Sequence, residues 1–155
     1  MNRGLRLLTW NIGSACIHKE ALLQLLADND PHLCFLQESQ LRHGMVNILR
    51  RELKPLRYDI LEGKHGLCTI VRFGLNVAPI AAWEADTDFR VQRLALQVGG
   101  QRILVRHRHA HSGSARKRKD FNNALALEPC GSLVMDVGDF NERPDGSWLE
   151  EAHVL

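Results

Sequence analysis

A chain of 155 residues, 45% hydrophobic and 25% charged, is long enough for one domain with a core of its own. Its 12 glycines and 5 prolines point neither to disorder nor to a fibrous repeat. The formal net charge is only +2, and no apolar run approaches the ~20 residues that span a bilayer, which excludes a membrane-spanning helix.

The N-terminal stretch MNRGLRLLTWNIGS has two arginines but only a short apolar run before polar residues. That pattern favours a first strand, ending near Asn11, over a leader peptide, and with it an intracellular protein. HKEALLQLLADND, residues 18 to 30, places Leu22, Leu25 and Leu26 at helical spacing, and Asn29-Asp30-Pro31 stops the helix. HLCFLQES, residues 32 to 39, reads as a second strand, completing a strand-helix-strand unit. HGMVNILRRELKP puts Met45, Ile48, Leu49 and Leu53 on one helical face. RYDILEG and GLCTIVRF then read as two strands around a glycine-containing turn, and VAPIAAW, RVQRLALQV and QRILVRHRH continue the series. Gly99-Gly100 marks a hairpin between the last two. SARKRKDFNNALAL reads as a helix capped by Ser114 and ended by Pro129. The final apolar run, in SLVMDVGDFNERPDG, passes straight into Gly-Asp-Phe-Asn and a Pro-Asp-Gly turn. The order of elements predicts a layered α/β domain of two packed, mainly antiparallel sheets flanked by helices.

Cys16, Cys34, Cys68 and Cys130 are scattered without a C-x-x-C pair, and three lie in or beside apolar runs. They read as reduced core residues rather than a disulfide or zinc framework. Charge is unevenly spread. Between Phe89 and Lys119 lie Arg90, Arg93, Arg102, Arg106, Arg108, Arg116, Lys117, Arg118 and Lys119 with no acidic residue, whereas residues 136 to 151 hold Asp136, Asp139, Glu142, Asp145, Glu150 and Glu151 against Arg143 alone. A basic middle beside an acidic end suits a polyanionic substrate together with a cation, and equally a solvated charged face.

The polar residues that follow apolar strands carry the chemistry. Asn11 follows LLTW, Glu38 follows CFLQ, and Asp139 and Asn141 follow LVMDVG. Each alone is an ordinary turn residue, but strand ends are where a rigid scaffold presents side chains to a cleft. A carboxylate and an amide oxygen are hard ligands of the kind Mg²⁺ accepts while keeping waters for phosphate to replace. Asp139 could exchange a proton within hydrogen-bond reach, and Asn141 could donate to a phosphoryl oxygen. The set has the composition of a phosphodiesterase or phosphatase site.

With these residues in view, the segments LRLLTWNIG, PHLCFLQES, RVQRLALQV, ILVRHRHAHSGS and LVMDVGDFNERPDG resemble, in order and rough spacing, the endonuclease/exonuclease/phosphatase superfamily. The likeness is nearest to retroelement-type and exonuclease III-like endonuclease domains. It implies a DNase I-like four-layer α/β sandwich and cleavage of phosphoester bonds, here in nucleic acid, DNA ahead of RNA, with Mg²⁺ as cofactor and Mn²⁺ as the alternative ion. The resemblance makes Glu38 the metal-binding carboxylate with Asn11 beside the metal, Asp139 the orienting or protonating aspartate, and Asn141 the phosphate-holding asparagine. It also implies a phosphate-contacting histidine, best matched by His109, with His107 and His111 as the neighbouring registers. The family's terminal Ser-Asp-His run, whose histidine activates water, has no counterpart before Leu155. Glu151-Ala152-His153 imitates it only superficially. The expectation is a single domain over residues 1 to 155 lacking the family's C-terminal part, weakly active or inactive.

Two other readings stand beside this one. A non-catalytic nucleic-acid-binding remnant would use Arg106, Arg108, Arg116, Lys117, Arg118 and Lys119. A zinc site would use His107, His109 and His111, which share a strand face at two-residue spacing. Trp10 is expected in the core, while Trp83 and Trp148 could serve either packing or base stacking.

Overall fold

The computed structural model describes residues 4–42, 44–81, 90–110, 113–128 and 133–141. The apolar runs form eight strands, β1 (Leu7–Asn11), β2 (Leu33–Gln37), β3 (Tyr58–Glu62), β4 (Cys68–Arg72), β5 (Asn76–Pro79), β6 (Val91–Val98), β7 (Gln101–His109) and β8 (Leu133–Asp139). Among the described residues three α-helices interrupt them, α1 (Lys19–Asn29), α2 (Met45–Leu53) and α3 (Ala115–Ala126), with a short 3-10 helix at Lys54–Leu56. The first sheet runs β1-β2-β4-β3 and the second β5-β6-β7-β8. Only β1–β2 and β7–β8 pair in parallel. These are the pairs joined through a helix, α1 or α3, as parallel neighbours require, while the remaining pairings are antiparallel.

Three apolar clusters separate four layers. Leu22 and Leu26 of α1 and Val46, Leu49 and Leu53 of α2 pack on Cys34, Leu36, Ile60 and Ile70 of the first sheet. Leu33, Phe35 and Val71 meet Leu94, Leu96 and Val105 between the sheets. Phe121 and Leu125 of α3 cover Val91 and Ala110 on the far side of the second sheet. The expected DNase I-like sandwich is therefore present. Every residue of β2 is buried because it is covered on both faces, which is why LCFLQ shows no polar alternation.

Local details refine the sequence reading. In α1, Leu25 is only half-buried. In α2 the buried stripe is Val46, Leu49 and Leu53, and Ile48, expected on the core face, is 54% exposed. Arg50 holds this rotation by donating from Nε to Asp59 Oδ1 at 2.8 Å and from Nη2 to the Ile60 carbonyl at 3.1 Å. Ser114 accepts from the Lys117 amide at 3.2 Å and caps α3 as expected. Trp10 packs, half-buried, against the first cluster. Cys34 and Cys68 are free and buried, and burial pushes both thiols up to about 12, as for inert core residues. Among the described residues no helix is long and apolar enough to cross a membrane. Trp83, Pro129, Cys130, the Pro-Asp-Gly turn, Trp148 and Glu151–His153 lie outside the described residues.

Candidate active site

The two parallel pairs build the site. Parallel strands end at the same edge, so β1 and β2 deliver Asn11 and Glu38 together, and β7 and β8 deliver His109 opposite Asp139, its register partner. Asn11 is the hub. Its Nδ2 donates to Glu38 Oε1 at 3.1 Å and to Asp139 Oδ2 at 3.0 Å, joining the two sheets. His109 Nε2 lies 3.5 Å from the same Glu38 oxygen. Asn141 folds back on Asp139, its backbone amide donating to Oδ1 at 2.9 Å, while its Nδ2 donates to the Ala110 carbonyl at 2.7 Å. Asn11, Glu38, Asp139 and Asn141, far apart in sequence, thus form one hydrogen-bonded cluster, with His109 in contact with it through Glu38.

The backbone around the cluster is unusual. Glu38 and Asn141 have φ of 52° and 48°, in the left-handed region that side-chain-bearing residues seldom enter. Such conformations persist where surrounding contacts over-determine them. At Glu38 the support is Gly66, whose carbonyl accepts from Ser39 N at 2.9 Å and where a Cβ would press on the Glu38 Cα at 3.2 Å. At the other end Gly138, with φ of +127°, lies directly on the Arg108 carbonyl, so a Cβ there would overlap its oxygen. The glycine of Gly-Asp-Phe-Asn is what lets β8 come close enough to β7 to set Asp139 beside His109.

The donor set suits a hard divalent cation. Glu38 is 45% exposed at its side chain, and among the described residues both of its contacts fall on Oε1, leaving Oε2 for a ligand. With Nδ2 of Asn11 committed to the carboxylates, its Oδ1 is the atom left to coordinate.

Position along β7 separates His107 from His109. His109 reaches the cluster, whereas His107, two residues earlier on the same face, is fully buried between the sheets. Its ring nitrogens are taken by Gln37 Nε2 at 2.8 Å and Gln92 Oε1 at 3.1 Å. That removes His107 from the proposed zinc set, and His111 lies outside the described residues.

Arg106 and Arg108 also correct the sequence reading, since neither belongs to a solvent-facing basic surface. They project from the other face of β7, beneath α3, and are 8% and 6% exposed. Arg106 makes a two-pronged pair with Asp136 at 2.7 and 2.8 Å and donates to the Leu125 carbonyl at 2.7 Å. Arg108 donates to Asn122 Oδ1 at 3.1 Å and stacks 4.3 Å from the Phe140 ring centroid. Arg116, Lys117 and Lys119, at the start of α3, are exposed, and Arg118 is half-buried. The sequence reading passed over Gln37 and Gly66. The signal for Gln37 is a polar residue on the inward face of an otherwise apolar strand.

The Endonuclease/Exonuclease/phosphatase family matches the chain over residues 8–153. The chain belongs to that family. No curated protein sequence matches it. Among solved structures, an AP endonuclease from Archaeoglobus fulgidus superposes with a TM-score of 0.70 at 16% identity, over 92% of this chain and 59% of that one. TDP2 from D. rerio, complexed with a single-strand DNA product, gives 0.65 at 20% identity, over 90% and 61%. The 3′ phosphatase NExo from Neisseria, bound to a product DNA hairpin, gives 0.65 at 21% identity, over 91% and 59%. This family member therefore spans about three fifths of the length of these structures.

Proposed function

We propose that this family member is a Mg²⁺-dependent phosphodiesterase of endonuclease type acting on nucleic-acid phosphodiester bonds, DNA ahead of RNA. One observation carries the reading: Asn11, Glu38, Asp139 and Asn141 meet at the strand ends in a single hydrogen-bonded cluster, with His109 Nε2 3.5 Å from Glu38 Oε1. The DNA named with TDP2 and NExo supports the choice of substrate, and the sequence motifs support a place near the retroelement-type and exonuclease III-like domains. Residues 1 to 155 are read as one domain, and the free, buried Cys34 and Cys68 suit an intracellular setting.

Glu38 and Asn11 would hold the cation, with Mn²⁺ the alternative to Mg²⁺. Bound there, the ion would offset charge on the phosphoryl oxygens. Asn141, anchored by one N–H on Ala110, keeps the other for a phosphoryl oxygen. His109, packed against Glu38, supplies a second donor to the phosphate. Asp139 accepts from Asn11 and from the Asn141 amide, and so orients both. The exposed Arg116, Lys117 and Lys119 at the start of α3 would track the phosphate backbone. Because these 155 residues contain no Ser-Asp-His run, the polypeptide they form is expected to turn over about 10²–10⁴-fold below a site with a dedicated base.

The test uses end-labelled single- and double-stranded oligonucleotides of DNA and RNA with Mg²⁺. Cleavage should favour DNA and fall by about 10²-fold or more in Asp139→Asn, which keeps the shape but removes the charge. Equal cleavage by wild type and Asp139→Asn would refute the assigned roles.

A further inference from the structure

Among the described residues, the layer between the sheets is apolar except in one place. Gln37 of β2, Thr69 of β4, Gln92 of β6 and His107 of β7 are 1%, 0%, 7% and 0% exposed, and they hydrogen-bond to one another across the interface. Gln37 Nε2 lies 2.8 Å from His107 Nε2, His107 Nδ1 lies 3.1 Å from Gln92 Oε1, and the Thr69 hydroxyl donates to Gln92 Oε1 at 2.7 Å. Thr9 Oγ1 of β1 lies a further 3.1 Å from Gln37 Nε2.

Backbone carbonyls fix the direction of these bonds. Gln37 Nε2 donates to the Phe35 carbonyl at 3.3 Å, and Gln92 Nε2 donates to the Leu61 carbonyl at 3.0 Å. A carbonyl oxygen only accepts, so the nitrogen end of each amide is settled. Gln37 then presents a donor to His107 Nε2, which must accept. The imidazole proton sits on Nδ1 and is donated to Gln92. Such a closed polar cluster adds little net stability over an apolar core of the same shape, because each bond replaces one to water. What it adds is direction, since apolar contacts tolerate sliding and hydrogen bonds do not.

The geometry next to the cluster gives that direction a use. Gln37 immediately precedes Glu38, and His107 lies two residues before His109 on the same face of β7. The Gln37–His107 contact at 2.8 Å, at the last residue of β2, and the Glu38–His109 contact at 3.5 Å, one residue beyond it, are neighbouring contacts to the same face of β7. We propose that His107, held by Gln37 and Gln92, is a positioning residue that sets the spacing across which Glu38 and His109 face each other. Its kinetic consequence rests on the phosphodiesterase reading above, and its geometric consequence does not.

The test compares wild type with His107→Gln, His107→Leu and the double variant Gln37→Leu/His107→Leu. Three quantities are read: thermal melting, kcat and KM for Mg²⁺-dependent oligonucleotide cleavage, and the imidazole ¹⁵N resonances. Wild type should show His107 protonated on Nδ1. The double variant leaves neither Gln37 nor His107 unpaired, so it should melt near wild type while kcat falls about 10²-fold at little-changed KM and the His109 resonances move. His107→Gln can accept from Gln37 and donate to Gln92, and should return kcat and the His109 resonances to near wild type. A double variant with wild-type His109 resonances and kcat would overturn the proposal, as would a wild-type His107 proton on Nε2. If wild type cleaves nothing, the phosphodiesterase reading fails, and the His109 resonances still decide this one.

Discussion

Gly138 sits where β8 presses on β7, with a φ of +127° and no space for a Cβ beside the Arg108 carbonyl. Replacing it with alanine imposes both backbone strain and overlap with main-chain atoms that cannot step aside. Gly138→Ala should lower the urea-unfolding free energy by more than about 3 kcal/mol. A second residue-scale effect belongs to His107, whose pKa is pushed down to about 3 by burial and then by His109. Above pH 6.5 neither folded nor unfolded chain holds that proton. Below it the unfolded chain takes the proton up and the folded chain does not, so this group costs stability as pH falls. The loss should be about 1.4 kcal/mol per pH unit between about pH 6 and pH 3. Denaturant melts of wild type and His107→Gln across that range should differ by this slope. At this scale Asn11, Glu38, Asp139 and Asn141 were legible because each interrupts an apolar run at its C-terminal end. His107 and Gln37 were not, because a polar residue paired inside the core looks in sequence like one bound for solvent.

Elements show where charge reading fails. Arg93, Arg106 and Asp136 sit side by side across β6, β7 and β8, and Glu128, just beyond α3, closes the group from above. It accepts from Arg93 at 2.7 and 3.1 Å and from Arg106 at 3.4 Å. The basic run of QRILVRHRH thus divides by strand alternation, Arg106 and Arg108 passing under α3 while Val105 and His107 enter the inter-sheet layer. Sequence shows the alternation but not which face a helix covers. Removing Glu128 takes one shared buried carboxylate from Arg93 and Arg106, so Glu128→Ala should cost about 1–3 kcal/mol in chemical denaturation. Strand positions were read well because period-two runs bounded by turns are strong local signals. The rotation of α2 was missed because Arg50 fixes it through Asp59 and Ile60, partners that local periodicity cannot reveal.

For the whole molecule, if the proposed substrate is right, the charge map assigns the phosphate contacts to Arg116, Lys117 and Lys119. Binding followed by fluorescence anisotropy over a NaCl series should weaken when Arg116, Lys117 and Lys119 are all replaced by glutamine. The slope of log K against log salt should shrink by about 0.7–0.9 for each phosphate that is no longer neutralised. Arg106→Met should leave that slope unchanged, since the guanidinium is spent on Asp136.

The function proposed for this chain turns on whether one cation-dependent cluster, at the shared ends of β1, β2, β7 and β8, breaks phosphodiester bonds. Supercoiled plasmid incubated with the purified chain decides it, with Mg²⁺ or with EDTA, beside Glu38→Ala. Slow nicking that needs both Mg²⁺ and Glu38 is expected. Nicking that persists in EDTA or in Glu38→Ala, or none by folded wild type with Mg²⁺, would contradict it.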